Sequence, residues 1–120
     1  MAAKILYVED EILIRVLVKR LLADYDVTIC HSAAMAMDAL KSEHQDLILI
    51  DINLGLGING IELCRDIRKI PGYDQTPVGA VTAQWIITEE ELFEEGFTHY
   101  LPKPFDRDQI IEFVEEMLAS

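Results

Sequence analysis

Apolar residues along this chain fall into short compact runs that alternate with longer periodic ones. The short runs are Ile5 to Val8, Val27 to Cys30, Asp46 to Asp51 with its four aliphatic residues, Pro77 to Thr82, and Thr98 to Leu101. Runs of this length bounded by turn formers predict strands, and aliphatic runs without polar alternation predict strands buried on both faces. The proline opening the fourth run is tolerated at a strand's first residue. Pro102-Lys103-Pro104 is expected to break the fifth. The longer segments read as helices. From Ile12 to Leu22 apolar side chains recur at helical spacing, with Arg15, Lys19 and Arg20 on another face, as in an amphipathic helix. Ser32 is placed to cap a second helix over 33–42. Asn59 with Glu62 resembles a capping pair for a third, running to about Lys69, and Thr88 with Glu91 a capping box for a short fourth ending at Gly96. Asp106 caps a last helix with the apolar stripe Ile110, Phe113, Val114, Met117 and Leu118.

Strand and helix alternate five times, with no repeat, linker or low-complexity segment between them. Such alternation predicts a parallel sheet with helices on both faces, a doubly wound α/β domain over residues 1–120. Composition supports this and narrows the partners. The 120 residues are 51% apolar, enough for a real core. The formal net charge of −12 argues against direct nucleic-acid binding or attachment to an anionic membrane. No apolar run approaches the roughly 20 residues of a membrane span. Met1-Ala2-Ala3-Lys4 enters the first strand directly, without a signal peptide's apolar region, so a cytoplasmic location is expected. Cys30 and Cys64 lie far apart and read as free thiols of a reducing compartment. His31, His44 and His99 show no metal-ligand spacing.

The chemistry lies at the strand ends. In a parallel sheet all strand C-termini share one edge, where open α/β sheets place their ligands. Glu9 and Asp10, Asp51, Thr82 and Lys103 are therefore expected to converge. Taken alone, Asp51 reads as a turn former closing a strand, Thr82 as a β-branched strand residue and Lys103 as a surface lysine. Taken together, three carboxylates repel one another, and a dication resolves the repulsion. Oxygen ligands of this kind suit Mg2+ (or Mn2+), with positions left for phosphate oxygens. A lysine and a threonine hydroxyl would bind those oxygens, and an aspartate beside the metal would act as nucleophile. The site thus reads as phosphoryl transfer onto Asp51.

At this point the chain resembles a receiver domain of the two-component response regulators, the chemotaxis regulators among them. The resemblance rests on Val8-Glu9-Asp10-Glu11, Asp46 to Asp51, Asn59-Gly60-Ile61-Glu62-Leu63, Val81-Thr82-Ala83, and Gly96 through Tyr100-Leu101-Pro102-Lys103-Pro104-Phe105. It implies a flavodoxin-like (βα)5 fold with strand order 2-1-3-4-5. It implies that Asp51 accepts the phosphoryl group, that Asp10 binds the metal directly and Glu9 through water, and that Asn53 lends a backbone carbonyl. Thr82 and Lys103 would meet the phosphoryl oxygens, and Tyr100 would be the aromatic switch. The Lys103-Pro104 bond would be cis, and Asn53 and Gln84 would tune how fast water removes the phosphoryl group. The implied donor is a sensor histidine kinase or a histidine phosphotransfer protein, and the implied output is control of a partner protein through the surface of the fourth helix, fifth strand and fifth helix. Such a switch is not a conventional enzyme, and works as a monomer or a phosphorylation-dependent dimer. Two departures stand out: the loop after Asp51 has Gly55 where the family commonly has proline, and Gly60 falls one position late. The stretch from Thr82 to Gly96 is slightly short, so a truncated or displaced fourth helix is expected. A flavin or nucleotide carrier on the same fold would need a phosphate loop after the first strand, but that loop is acidic here. An aspartyl-phosphate phosphatase would need an acid where Asn53 stands.

Overall fold

The computed structural model describes residues 2–52, 60–83 and 87–120. The strands are β1 (Lys4–Val8), β2 (Asp26–Cys30), β3 (Leu47–Asp51), β4 (Val78–Ala83) and β5 (His99–Lys103). The helices are α1 (Ile12–Leu21), α2 (Ala33–Ser42), α3 (Gly60–Arg68), α4 (Glu89–Glu94) and α5 (Arg107–Ala119). The strands form one parallel sheet in the order β2-β1-β3-β4-β5. This is the flavodoxin-like arrangement expected from the sequence.

Strand periodicity splits the core in two, because successive side chains point to opposite faces. On one face Leu6, Val8, Ile48 and Ile50 pack with Leu63, Ile67 and Leu92 of α3 and α4. On the other, Ile5, Tyr7, Leu47 and Leu49 pack with Val18 of α1 and with Ile110, Phe113, Val114 and Met117 of α5. β3 sits at the centre, and its four aliphatic residues are all fully buried. Burying each contributes roughly 1.5–3 kcal/mol, so the strand that ends in Asp51 is among the most firmly held in the molecule.

The caps follow their local chemistry. The Ser32 side chain accepts from the Met35 N–H, and both Thr88 with Glu91 and Asp106 with Gln109 form reciprocal capping boxes. Gly96 ends the fourth helix region at a φ of +109°. The fourth helix is short, six residues, as the sequence spacing suggests. Asn59, the other half of the capping pair with Glu62, lies outside the described residues. Among the described residues no helix is long and apolar enough to cross a membrane.

Three expectations need correction. β5 does not break at Pro102: it runs on to Lys103, with Thr82 opposite Pro102 and Ala83 opposite Lys103. β5 is an edge strand, where the missing N–H of a proline does not interrupt a second ladder. Leu118 is 36% exposed and outside the buried stripe of α5, because it sits at the stripe's rim in the helix's last turn. The apolar residues of α1 do not form one face. Val18 is buried and Ile14 and Leu21 pack beneath the helix, while Ile12, Leu13, Val16 and Leu17 are exposed.

Candidate functional site

The sheet register assembles the site. Val8 pairs with both Cys30 and Ile50, and the Glu9 N–H continues that ladder by donating to the Cys30 carbonyl at 2.9 Å. Asp51 lies opposite Val81, and Lys103 opposite Ala83. Glu9, Asp51, Thr82 and Lys103 therefore reach the same edge from four neighbouring strands. Glu9 is fully buried, and Asp51 and Thr82 are nearly so, at 3% and 1% exposed; Asp10 is exposed at the rim. One carboxylate oxygen from each of Glu9, Asp10 and Asp51 lies within 4.8 Å of the others. The Lys103 ammonium bridges two of them, at 3.1 Å from Asp51 Oδ2 and 3.2 Å from Glu9 Oε1.

The electrostatics follow from one ammonium facing three acids. Burial, reinforced by a hydrogen bond and charge repulsion from Asp51, pushes the Glu9 carboxyl up to about 8, and the Lys103 ammonium only partly opposes this. Burial alone would lower Lys103, but Asp51 and Glu9 outweigh it and hold the ammonium above its usual value. The donor set is oxygen only, carboxylate-rich and short of positive charge, which fits a hard dication and not a soft metal. The Thr82 hydroxyl is buried without a hydrogen-bond partner among the described residues, and the Tyr100 hydroxyl is in the same condition. Tyr100 lies opposite Ala80 on β4, two residues before Thr82, so both hydroxyls sit on the α3/α4 side of the sheet.

A pH dependence follows from Glu9. Its folded value lies above the ordinary 4.5, so between about 4.5 and about 8 the folded chain binds more protons than the unfolded one. Stability without a divalent cation is therefore expected to fall as pH rises through that window, by at most about 1.4 kcal/mol per pH unit. Denaturant melts in chelator from pH 5.5 to 8.5 read this slope, and Glu9→Gln is expected to flatten it. A slope of the opposite sign would contradict the assignment.

The structure thus brings Glu9, Asp10, Asp51, Thr82 and Lys103 together and puts Tyr100 on the same side of the sheet as Thr82. The Lys103-Pro104 bond is cis, as expected. Asn53 and Gln84 lie outside the described residues. Other supporting residues were not foreseen. Gly60 donates its N–H to the Ile52 carbonyl at 3.0 Å, directly behind Asp51. Arg68 donates to the carbonyls of Tyr73, Thr76 and Gly96, and Arg65 makes a two-pronged pair with Glu95, so the C-terminal end of α4 is tied to α3. Nothing in the local sequence around either arginine signals this tie.

Comparison with known proteins agrees with the geometry. The family model described as "Response regulator receiver domain" matches residues 5–115. Response regulator MprA of Mycobacterium ulcerans (strain Agy99) is 27% identical over 98% of this chain, which spans 51% of that protein. The signal transduction histidine-protein kinase BarA of Escherichia coli (strain K12) is 36% identical over 70% of this chain and 9% of its own length. The chain thus spans about half, or much less, of these relatives. Among solved structures, the receiver domain of a sensor histidine kinase from Pseudomonas aeruginosa PAO1 is 26% identical and superposes over all of both chains with a TM-score of 0.88. That structure has a magnesium ion coordinated in its active site cleft. The chain belongs to the response regulator receiver domain family, a family of signalling domains.

Proposed function

We propose that residues 1–120 act as one phosphorylatable switch, with Asp51 as the acceptor. The observation that carries this reading is the buried Asp51 carboxylate, held by Lys103 and crowded by two further acids, beside a buried threonine hydroxyl with no partner among the described residues. An Asp51 carboxylate oxygen attacks the phosphorus of a phosphohistidine. The new O–P bond forms as the N–P bond breaks, and the imidazole keeps the electron pair and takes a proton from solvent. Glu9, Asp10, Asp51 and the backbone carbonyl of Asn53 would hold Mg2+ or Mn2+, which when bound offsets negative charge on the phosphoryl oxygens. Lys103 shifts from the carboxylates to a phosphoryl oxygen, and the Thr82 hydroxyl gains an acceptor there. Tyr100 turns into the space beside Thr82, which biases a two-state surface on α4, β5 and α5 toward a downstream protein. Asn53 and Gln84 set how fast water resets it.

The donor is a sensor histidine kinase or a histidine phosphotransfer protein, met at α1. That helix begins two residues after Asp10 and exposes Ile12, Leu13, Val16 and Leu17, bordered by Arg15, Lys19 and Arg20. A contiguous exposed apolar strip next to a reactive site marks a protein contact. The test is Mg2+-dependent labelling by acetyl phosphate, followed by intact mass. Wild type is expected to gain one phosphoryl group with Mg2+ and none in chelator. Leu13→Asp is expected to label equally from acetyl phosphate but at least tenfold more slowly from a phosphohistidine protein. A wild-type chain that never labels would overturn the reading.

A further inference from the structure

Tyr7 has no part in the reading above, yet its position asks for one. It stands in the middle of β1, fully buried, opposite Leu49 on one side and Ile29 on the other. Its neighbours on that face are apolar: Ile5, Val18, Leu49 and Ile110. Its hydroxyl is shielded from solvent and has no hydrogen-bond partner among the described residues. Leaving a buried hydroxyl unpaired costs roughly 1–3 kcal/mol, and phenylalanine would fill the same space without that cost. Apolar packing alone therefore does not account for a tyrosine here.

Strand geometry indicates what the hydroxyl is for. Side chains two residues apart share a face of the sheet and stand about 6.8 Å apart along it, close to the reach of a tyrosine side chain. Glu9 is two residues beyond Tyr7, and Asp51 is two residues beyond Leu49, the β3 residue opposite Tyr7. Tyr7 thus lies on the floor of the acidic site, one layer below both carboxylates. Burial first, and then the charges of Glu9 and Asp51, hold the phenol above its usual value. At the rim, Lys103 divides its ammonium between Glu9 and Asp51. When Lys103 is engaged elsewhere, fully buried Glu9 loses a donor, and a buried carboxylate short of donors is costly.

We propose that Tyr7 is a positioning residue of the acidic site, its hydroxyl donating to the Glu9 carboxylate when Glu9 turns to serve a bound divalent cation. The proposal rests on the phosphoryl-switch reading only in taking the acidic cluster as a cation site. It assigns a job to a residue that touches neither the cation nor the phosphoryl group.

The test compares wild type with Tyr7→Phe, which keeps the ring and removes only the hydroxyl. Titration with Mg2+ alone, followed by calorimetry, is expected to give about tenfold weaker binding for the variant, the usual scale for losing a partner of a metal-holding carboxylate. The near-ultraviolet difference spectrum on adding Mg2+ is expected to show a tyrosine band in wild type that Tyr7→Phe lacks. Thermal stability in chelator is expected to be unchanged or higher in Tyr7→Phe, because no bond is lost in the resting fold. Equal Mg2+ affinity with an unchanged difference spectrum would overturn the proposal, and so would a clear loss of stability in chelator. Failure of wild type to label from acetyl phosphate while these three results hold would sink the phosphoryl-switch reading and leave the role of Tyr7 intact.

Discussion

Asp51→Asn is expected to take up no phosphoryl group from acetyl phosphate, at any Mg2+ concentration, in an assay where wild type is labelled. A carboxamide is nearly the same shape but lacks the negative oxygen that attacks phosphorus, and no neighbouring acid replaces it. Glu9 is fully buried behind Lys103, and Asp10 sits exposed at the rim. The same substitution is expected to leave the cation-free fold as stable as wild type or more so. Removing one partner of a buried ion pair ordinarily costs about 3–5 kcal/mol, because the other charge is stranded. Here Lys103 keeps its contact with Glu9, and three acids facing one ammonium become two. The repulsion from Asp51 that helps push Glu9 up also disappears. A gain of up to about 1 kcal/mol, read as a rise of a few degrees in Tm in chelator, is the expected size. Intact mass after acetyl phosphate treatment and a melt at pH 7 check both halves. Labelling of Asp51→Asn, or a loss of several kcal/mol, would show that the acceptor or the charge balance is misassigned.

Much of this was legible in the sequence, for reasons that differ from residue to residue. Leu47 to Ile50 announced a central strand because burial on both faces leaves no room for polar alternation. Ser32, Thr88 and Asp106 were readable as caps because capping is chemistry between residues three apart. Glu9, Asp51, Thr82 and Lys103 converge for a topological reason: parallel strands put their C-termini at one edge. The misses have the opposite character. Where β5 ends depends on its being an edge strand, a property of the whole sheet. The exposed strip of α1 could not be separated from the buried one, because both are aliphatic and what covers them lies elsewhere in the chain. Tyr7 was hidden because hydrophobic patterning counts it with its apolar neighbours. Gly60 marked a loop in the sequence, and its proximity to the Asp51 backbone exists only in three dimensions.

That proximity makes Gly60→Ala the substitution expected to damage the fold and the site together. Gly60 opens α3 and is buried. A Cβ placed there would lie 2.8 Å from the Asp51 carbonyl oxygen, 2.8 Å from the Ile52 Cα and 2.9 Å from Ile50 Cγ2. Two of these atoms are backbone of β3 or of the residue just after it, and they cannot rotate out of the way. Relief requires α3 to move off the sheet or the end of β3 to shift, and either would disturb the Gly60 N–H bond to the Ile52 carbonyl. Overpacking of this kind costs typically 1–3 kcal/mol, and contact with backbone places it at about 3. Gly79 supplies the control. A Cβ there meets Leu49 Cδ2 and Phe113 Cε2 at 2.9 Å and Met117 Cε at 3.0 Å, all ends of side chains that have other rotamers. Gly79→Ala is therefore expected to cost about 1 kcal/mol, with Mg2+ affinity unchanged. Gly60→Ala is expected to lose about three times as much stability, and its surviving folded fraction to bind Mg2+ more weakly because the Asp51 carboxylate moves with its own backbone. Urea melts give the first difference and Mg2+ titration at low temperature the second. Equal costs at the two glycines would mean that the end of β3 yields freely, and that the position of Asp51 is set by its side-chain contacts with Lys103 more than by its strand.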